Sequence, residues 1–198
     1  MLHMTCKYDF CFLITASAYG IRLVMKIGTL IIFSGLPGCG KSTLAAKLAS
    51  AVGATYLRID TIEQGLRDIC QISQIDGKGY ELTHRIAQEN LRLGNTVIAD
   101  SVNPWPLTRS GWDSVAEEIG ANFFNIEIVC SDKDEHKSRV EARRASIPDL
   151  KLPTWQEVLG RDYKPWDEER FQLDTSGKNE MASFDELFST LKTKGIVG

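Results

Sequence analysis

A glycine-rich loop between an apolar run and a helix-like stretch limits the folds that are open to this chain. Residues 35–42 read GLPGCGKS and satisfy the pattern G-x-x-x-x-G-K-[ST] at every fixed position. The apolar run at 30–33 predicts a strand before the loop, and leucines and alanines at helical spacing predict a helix after it. In this context the backbone N–H groups of the loop are expected to surround the phosphates of a nucleotide.

The residue types in the loop suit that task. Its glycines let successive amides point inward, Lys41 supplies a positive charge to the β- and γ-phosphates, and Ser42 offers a hydroxyl to Mg²⁺. We interpret Cys39 as a small filler rather than a redox group. The loop residues predicted to bind the nucleotide are Gly35, Leu36, Pro37, Gly38, Cys39, Gly40, Lys41, Ser42 and Thr43.

Strand and helix patterns alternate along the rest of the chain. Four further strands are predicted at 56–58, 96–99, 123–129 and 171–173. This alternation predicts a three-layer α/β fold, with a five-stranded parallel sheet and a ligand crevice at the carboxyl ends of the strands. We expect a single domain at 25–198, with residues 1–24 as an N-terminal extension of doubtful relevance.

Composition and charge argue against several other classes of protein. A formal net charge of −3 lacks the basic excess of a general nucleic-acid-binding protein. The five cysteines include no CxxC pair, so neither a zinc site nor a disulfide framework is indicated, and a cytoplasmic location is expected. No apolar run is long enough to cross a bilayer, and we expect no membrane partner.

Several motifs carry a resemblance to a known family. They are GLPGCGKST at 35–43, RID at 58–60 with Arg67, VIADSVN at 97–103 and RVEARR at 139–144. Through them the chain resembles the small P-loop kinases related to zeta toxins, polynucleotide 5′-kinases, chloramphenicol phosphotransferase and gluconate kinase. The resemblance covers residues 29–175 and implies the sheet order 2-3-1-4-5 of nucleoside monophosphate kinases, a helical lid, and ATP with Mg²⁺ as cofactors.

Asp60 and Arg67, which follow the second predicted strand, are assigned to contacts with the acceptor. In the kinases that the chain resembles, the aspartate at this place takes the proton of the acceptor hydroxyl, and Asp60 matches it. A helix N-cap is the alternative for Asp60, and the two roles are compatible. Arg67 lies two helical turns further on the same face, where it would hold an anionic or polar substrate or, alternatively, form an exposed ion pair.

The third strand ends in a carboxylate beside the phosphate loop. Asp100 is predicted to hold a magnesium-bound water or an acceptor group, so it is a metal candidate with Ser42 and also a substrate candidate. Asn103, three residues later, is predicted to hydrogen-bond the substrate.

A lid is predicted at 139–168. Arg139 and Arg143 lie one turn apart on a predicted helix, so that Arg139 can stack on adenine while Arg143 reaches the phosphates. The alternative is a solvated helix face paired with Glu135 and Glu141.

Prolines and aromatic residues at 148–168 predict a substrate lid with a stacking surface, or alternatively packing of the tryptophans against the sheet. Asp174 follows the last strand, where the resemblance implies a loop that borders the adenine. We assign no metal role to His84 or His136. The aromatic residues predicted to pack in the core are Trp105, Trp112, Phe123 and Phe124.

These assignments predict an ATP- and Mg²⁺-dependent phosphotransferase that moves the γ-phosphoryl group to a hydroxyl of a small molecule, a nucleotide or a polynucleotide end. Lys41, Asp60 and Arg143 are its predicted catalytic residues. Two alternatives stay open, namely a nucleotide-binding ATPase or switch coupled to a partner, and a toxin kinase of the zeta type. The modest acidity of the chain disfavours a long polynucleotide as acceptor.

Overall fold

The computed structural model describes the backbone of residues 13–14 and 23–24 and all of residues 27–198. Within this part, the strands are β1 (Leu13–Ile14), β2 (Leu23–Val24), β3 (Thr29–Ser34), β4 (Thr55–Arg58), β5 (Val97–Asp100), β6 (Asn122–Val129) and β7 (Phe171–Asp174). The helices are α1 (Lys41–Val52), α2 (Ile59–Asp68), α3 (Lys78–Arg92), α4 (Pro106–Glu117), α5 (Lys133–Ala142), α6 (Trp155–Leu159) and α7 (Glu180–Thr193). The predicted extension 1–24 lies outside the described residues, apart from the antiparallel pair β1–β2.

The main sheet is parallel and has the order β4-β5-β3-β6-β7. Counted from β3, this order is 2-3-1-4-5, which confirms the fold class expected from the sequence. In the register, Asp100 lies opposite both Phe33 and Arg58. The carboxyl ends of three neighbouring strands therefore meet immediately before the phosphate loop.

Helices cover both faces of this sheet. Ile31 and Phe33 point to the face packed by α1 and α7, while Leu30 and Ile32 point to the face packed by α3 and α4. All four of these strand residues are fully buried, because β3 is central and covered on both sides. Each such side chain contributes about 1.5–3 kcal/mol of hydrophobic stabilisation.

Two predicted helix boundaries are corrected by the structure. The N-cap position of α2 is Arg58 and Asp60 lies in the first turn, so the predicted capping role of Asp60 is wrong. Helix α5 ends at Ala142, and Arg143 adopts an extended conformation with φ −65° and ψ 138°. The two arginines of the predicted lid are therefore not on one continuous helix.

The aromatic core was only partly predicted. Trp112 is fully buried between the sheet and α3, as expected. Trp105 is 46% exposed, because it stands just before α4 and its indole N–H donates to Asp162 on the surface. Phe123 is 36% exposed, since it lies in the exposed first part of β6. Core assignment was wrong for these two residues.

None of the helices in the described residues has the length and hydropathy that a membrane span requires.

Candidate active site

A cavity of about 990 Å³ opens at the carboxyl ends of the strands. Its walls come from the phosphate loop and the start of α1, from one face of α2, from the chain after α5, and from the start of α7. The segments that contribute lining residues are 36–44, 60–67, 139–153 and 175–183, together with Val102 and Arg161. Most of the predicted site residues are thereby brought into one crevice, which is where ligands bind in parallel α/β sheets.

The shape of the phosphate loop depends on glycine at two positions in particular. Gly35 has φ 138° and Gly38 has φ 87°, conformations that residues with a Cβ rarely adopt. A Cβ at Gly35 would lie 2.2 Å from the carbonyl oxygen of Ile128, and one at Gly38 would lie 2.5 Å from a methyl group of Val140. The loop is therefore pressed between β6 and α5 in a backbone conformation that turns its amides toward the cavity.

Lys41 forms a buried ion pair beneath the loop. Its Nζ donates to Oδ1 of Asp100 at 2.5 Å, and the hydroxyl of Tyr56 donates to Oδ2 at 2.6 Å. Burial alone would raise the pKa of Asp100, but the ammonium of Lys41 and the hydrogen bonds from Lys41 and Tyr56 outweigh it, so the pKa is lowered. Asp100 is therefore an ionised carboxylate, 1% exposed, that fixes the cation of the loop.

The neighbourhood of Ser42 fits a magnesium ion that is mainly ligated by phosphate and water. The Ser42 hydroxyl oxygen lies 3.4 Å from Nζ of Lys41, which itself donates to Asp100, so two oxygen ligands of the type preferred by Mg²⁺ are close together. Among residues 27–198 there is no cluster of three or more acidic, histidine or cysteine side chains that could hold a metal alone. This donor set suits an ion that arrives with a nucleotide.

Asp60 is exposed to the cavity and is held by an arginine. Its side chain is 40% exposed, and Nη2 of Arg58 lies 3.2 Å from Oδ2 of Asp60. The Nε of Arg58 lies 3.8 Å from Oδ2 of Asp100, and its Nη1 donates to Ser146 at 3.0 Å. The guanidinium of Arg58 thus stands between two carboxylates at the ends of neighbouring strands.

Arg67 lines the cavity on the same face of α2 as Asp60, as their spacing predicts. Arg67 also forms an ion pair, which was the alternative role considered for it, and its Nη2 lies 3.4 Å from Oε2 of Glu63. Burial raises the pKa of Glu63, and the nearby guanidiniums of Arg67 and Arg161 partly oppose that rise. The wall formed by α2 therefore carries both signs of charge.

Arg139 and Arg143 both line the cavity, but they differ in their contacts. Arg139 donates to Glu135 and to the hydroxyl and carbonyl oxygens of Thr175, so the predicted pairing with Glu135 is present. Arg143 lies beyond the helix and forms no ion pair within the described residues. Its side chain is the less constrained of the two.

The residues that line the cavity do not include five of the predicted ligand residues, namely Gly35, Cys39, Asp100, Asn103 and Asp174. Asn103 is fully buried, donates to Ser34 at 2.8 Å and accepts from the Ser101 hydroxyl at 2.8 Å. Its amide group is used within the protein, so its placement does not support the predicted contact with substrate. The strand end is instead lined by Val102.

Asp174 is likewise occupied by its neighbours. It accepts hydrogen bonds from the backbone and hydroxyl groups of Ser131 and Ser176. Partial burial would raise its pKa, but these hydrogen bonds outweigh burial and hold the pKa well below its usual range. The next residue, Thr175, faces the cavity in its place and donates to the carbonyl of Cys39 at 3.0 Å.

Sequence reasoning missed His136 as a support of the loop. Its Nε2 lies 2.8 Å from the carbonyl oxygen of Pro37, and its ring meets Trp155 edge-on at 5.2 Å between centroids. His136 and Pro37 are 99 positions apart in the sequence, and no local pattern predicts a contact of that kind. Cys39 is 1% exposed and burial raises its pKa to about 11, which agrees with its prediction as an inert filler.

Comparison with known proteins gives one family and several relatives. A family model described as an AAA domain matches residues 30–161. The cytidylate kinase of Ignicoccus hospitalis is 25% identical over 146 residues, covering 70% of this chain and 76% of that protein. A protein of Aeropyrum pernix named "probable adenylyl-sulfate kinase" is 24% identical over 182 residues, covering 83% of this chain and 93% of its own length.

Solved structures share the fold. The Mycobacterium tuberculosis APS kinase CysC, in complex with AMPPNP and APS, superposes with a TM-score of 0.61 at 20% identity. That match covers 84% of this chain and 99% of the other. At this level of identity the similarity establishes the architecture alone.

Proposed function

The chain belongs to the AAA-domain family whose model matches residues 30–161, and on that premise we propose that it is an ATP-dependent phosphotransferase. Its reaction transfers the γ-phosphoryl group of ATP to a hydroxyl group of an acceptor. Two sequence relatives are named as kinases, which supports the reaction type. Their names give different acceptors, so the acceptor of this chain is left open.

One observation carries this proposal. Lys41 and Ser42 line the same cavity as Asp60, which stands at the end of a neighbouring strand and is accessible. Ligand cavities in proteins have volumes of about 300–1,000 Å³, so 990 Å³ can hold a nucleotide and a small acceptor together. A phosphate donor and an alcohol would thus be held next to each other, which is the main requirement of phosphoryl transfer.

The nucleotide half would act through fixed positive charge. The amides of the loop and the ammonium of Lys41 surround the β- and γ-phosphates, and a phosphate oxygen replaces Asp100 as a partner of Lys41. Ser42 and Asp100 would hold Mg²⁺, which neutralises charge that develops on the phosphates. Arg143 can supply a further positive charge, since no carboxylate pairs with it in the described residues.

The acceptor half would act through Asp60. Its carboxylate accepts a hydrogen bond from the acceptor hydroxyl, orients the oxygen toward the γ-phosphorus and receives the proton as the new ester bond forms and the bond from the γ-phosphorus to ADP breaks. Arg58 keeps this carboxylate in place through its 3.2 Å contact, and its link to Ser146 couples that position to the chain after α5.

We also propose that residues 25–198 act as one domain, with 139–168 as the lid. A cytoplasmic location is part of the proposal, in keeping with the free thiols of Cys39, Cys70 and Cys130.

Replacement of the proposed base tests the assignment. In a screen of nucleosides, nucleoside monophosphates, sugars and sugar acids, Asp60→Asn should lower kcat for an accepted compound by about 100-fold or more, because the hydroxyl loses its proton acceptor. Nucleotide affinity should stay within about twofold. The matched control is Asp76→Asn, an exposed aspartate outside the cavity, which should behave as wild type. Equal rates for Asp60→Asn and wild type would remove Asp60 from the mechanism.

A further inference from the structure

Beyond Asp60, the cavity wall contains two cations that have no ion-pair partner among the described residues. Lys151 and Arg161 line the cavity, and neither forms an ion pair within the described part of the chain. The neighbouring cations behave differently, since Lys164 pairs with Asp162 and Arg170 pairs with Glu127. Lys151 and Arg161 thus differ from these two neighbouring cations, because no carboxylate in the described residues forms an ion pair with them.

Electrostatic contacts place these cations on the acceptor side. The guanidiniums of Arg67 and Arg161 both act on the carboxyl of Glu63, which belongs to the same helix as Asp60. Lys151 and Arg161 also line a smaller recess of about 360 Å³, which has four of its five lining residues in common with the main cavity. The end of the cavity beyond Asp60 is therefore surrounded by positively charged groups.

Negative charge at this end does not balance the positive charge. Glu63 is paired with Arg67, and Asp60 is paired with Arg58. Two other carboxylates, Asp149 and Glu157, contribute to these walls. One oxygen of Glu157, Oε2, accepts hydrogen bonds from the backbone N–H and the hydroxyl of Thr154 at the start of α6. With Arg143 added to Lys151 and Arg161, cations exceed the remaining carboxylates.

The segment that carries Arg161 is anchored by an unusual buried arginine. Arg109 on α4 is fully buried and donates to the carbonyl oxygens of Asn103, Lys164 and Pro165. Its guanidinium also stacks on Trp166, with 4.1 Å between the guanidinium carbon and the ring centroid. Burying an arginine is costly unless its donors are satisfied, and here carbonyl oxygens from two segments satisfy them.

Arg161 itself is held at both sides. Its N–H donates to the carbonyl of Val158 at the end of α6, and its carbonyl accepts from Tyr163 at 2.8 Å. The indole of Trp105 donates to Asp162, the next residue, at 3.2 Å. The backbone at Arg161 is thus preorganised, while its side chain is left without a partner at the cavity.

We infer that the acceptor carries an anionic group, such as a phosphate, sulfate or carboxylate, and that Lys151 and Arg161 bind it while the acceptor hydroxyl lies at Asp60. This inference rests on the proposed function. A guanidinium can form two parallel hydrogen bonds to such an anion, and a nearby ammonium adds a point charge. The anion would supply the missing negative charge and hold the acceptor in one orientation for transfer.

Binding of inorganic sulfate to the nucleotide-loaded protein tests this subsite without needing the acceptor. AMPPNP with Mg²⁺ is kept at saturation so that the phosphate loop is filled, ionic strength is held constant with NaCl, and sulfate is titrated by calorimetry. Arg161→Gln and Lys151→Gln should each weaken sulfate binding by about tenfold or more, as expected for the loss of a charge-assisted contact. The control Lys137→Gln, an exposed lysine of α5 outside the cavity, should bind sulfate as wild type does.

The same variants are compared on matched acceptors, namely cytidine 5′-monophosphate with cytidine, and gluconate with sorbitol. Wild type should prefer the anionic member of an accepted pair by at least about tenfold in kcat/KM, and Arg161→Gln should lose that preference. Sulfate binding that does not saturate in wild type would contradict the proposed subsite. An affinity for sulfate that is the same in both variants as in wild type would contradict it too. Failure to bind AMPPNP would instead contradict the proposed function, so the two failures are distinguishable.

Discussion

The two halves of the cavity are built in different ways. The nucleotide half is built mainly on one continuous stretch, 36–44, whose backbone supplies most of the predicted contacts. The acceptor half is assembled from side chains of α2, of 149–153 and of Arg161, which are far apart in the sequence. The first half depends on local backbone geometry, whereas the second depends on tertiary contacts that bring separate segments together.

This difference has an energetic consequence. The loop is wedged between β6 and α5 and is tied to the central sheet through the buried pair of Lys41 and Asp100. The acceptor wall after α6 is held by the hydrogen bonds and stacking of Arg109 and by hydrogen bonds such as those from Trp105 to Asp162 and from Tyr163 to Glu127. We therefore expect the acceptor half to be the easier of the two to loosen without loss of nucleotide binding.

The largest expected effect concerns the nucleotide half. Lys41→Met keeps much of the side-chain length but removes the charge on the phosphates, and kcat/KM should fall by about 1,000-fold. The readout is acceptor-dependent ADP formation. The matched control is Lys47→Met on the same helix, whose side chain pairs with Glu180, and it should change the rate by less than about twofold. Retention of a tenth of the activity by Lys41→Met would contradict the assignment.

A smaller effect is expected on stability, and it should show that the acceptor half can be loosened without loss of nucleotide binding. Arg109→Met leaves the carbonyls of Lys164 and Pro165 without their donor, so the free energy of unfolding should fall by about 3 kcal/mol. Proteolytic cleavage within 149–168 should become faster in the folded protein. Nucleotide affinity should remain within about twofold, because the loop does not depend on this anchor.

The measurements for Arg109→Met are urea unfolding, limited proteolysis and AMPPNP titration. Arg85→Met provides the control, since Arg85 is an exposed helical arginine with 73% of its side chain in solvent. A parallel loss of nucleotide affinity and lid stability would show that the two halves are one cooperative unit, and the comparison would then fail.

The smallest expected effect concerns the pH dependence of stability, and it comes from His84, which lies on the face of the sheet away from the phosphate loop. Burial lowers the pKa of His84 to about 4, and the ring lies edge-on to Trp112 at 4.4 Å between centroids. The unfolded chain, with an ordinary pKa of about 6.5, binds more protons between pH 6.5 and 4, so stability falls as pH falls through this window. After discounting for partial exposure, the contribution is about 1–2 kcal/mol.

His84→Gln should therefore lose less stability than wild type between pH 7.5 and pH 4.5, by about 1 kcal/mol in urea unfolding. The rate of phosphoryl transfer at pH 7.5 should not change, since the residue lies outside the cavity. An identical pH dependence in both proteins would show that His84 is not kept neutral by its burial against Trp112.

The success of sequence reasoning follows the same division. Residues 35–43 and the parallel sheet were predictable, because glycine spacing and the alternation of strands with helices are local signals, whereas the sheet order was implied by the family resemblance. Asp60 and Arg67 were brought to one wall because helical spacing fixes their relative direction.

Errors arose where a distant partner decides the direction of a side chain. Asn103 and Asp174 stand near strand ends as predicted, but Ser34 and Ser131 turn them into the protein. Arg58 was overlooked because its partners on β5 and at Ser146 are remote in sequence. The end of α5 before Arg143 also lacked a glycine or asparagine stop signal.

The central claim is that the γ-phosphoryl group passes to a hydroxyl rather than to water. ³¹P NMR of ATP with Mg²⁺, the purified protein and an accepted compound measures ADP, phosphate monoester and inorganic phosphate in one sample. We predict that monoester and ADP form in equal amounts and that ADP formation nearly stops without the acceptor. ADP matched by inorganic phosphate, at a rate that no acceptor changes, would contradict the account.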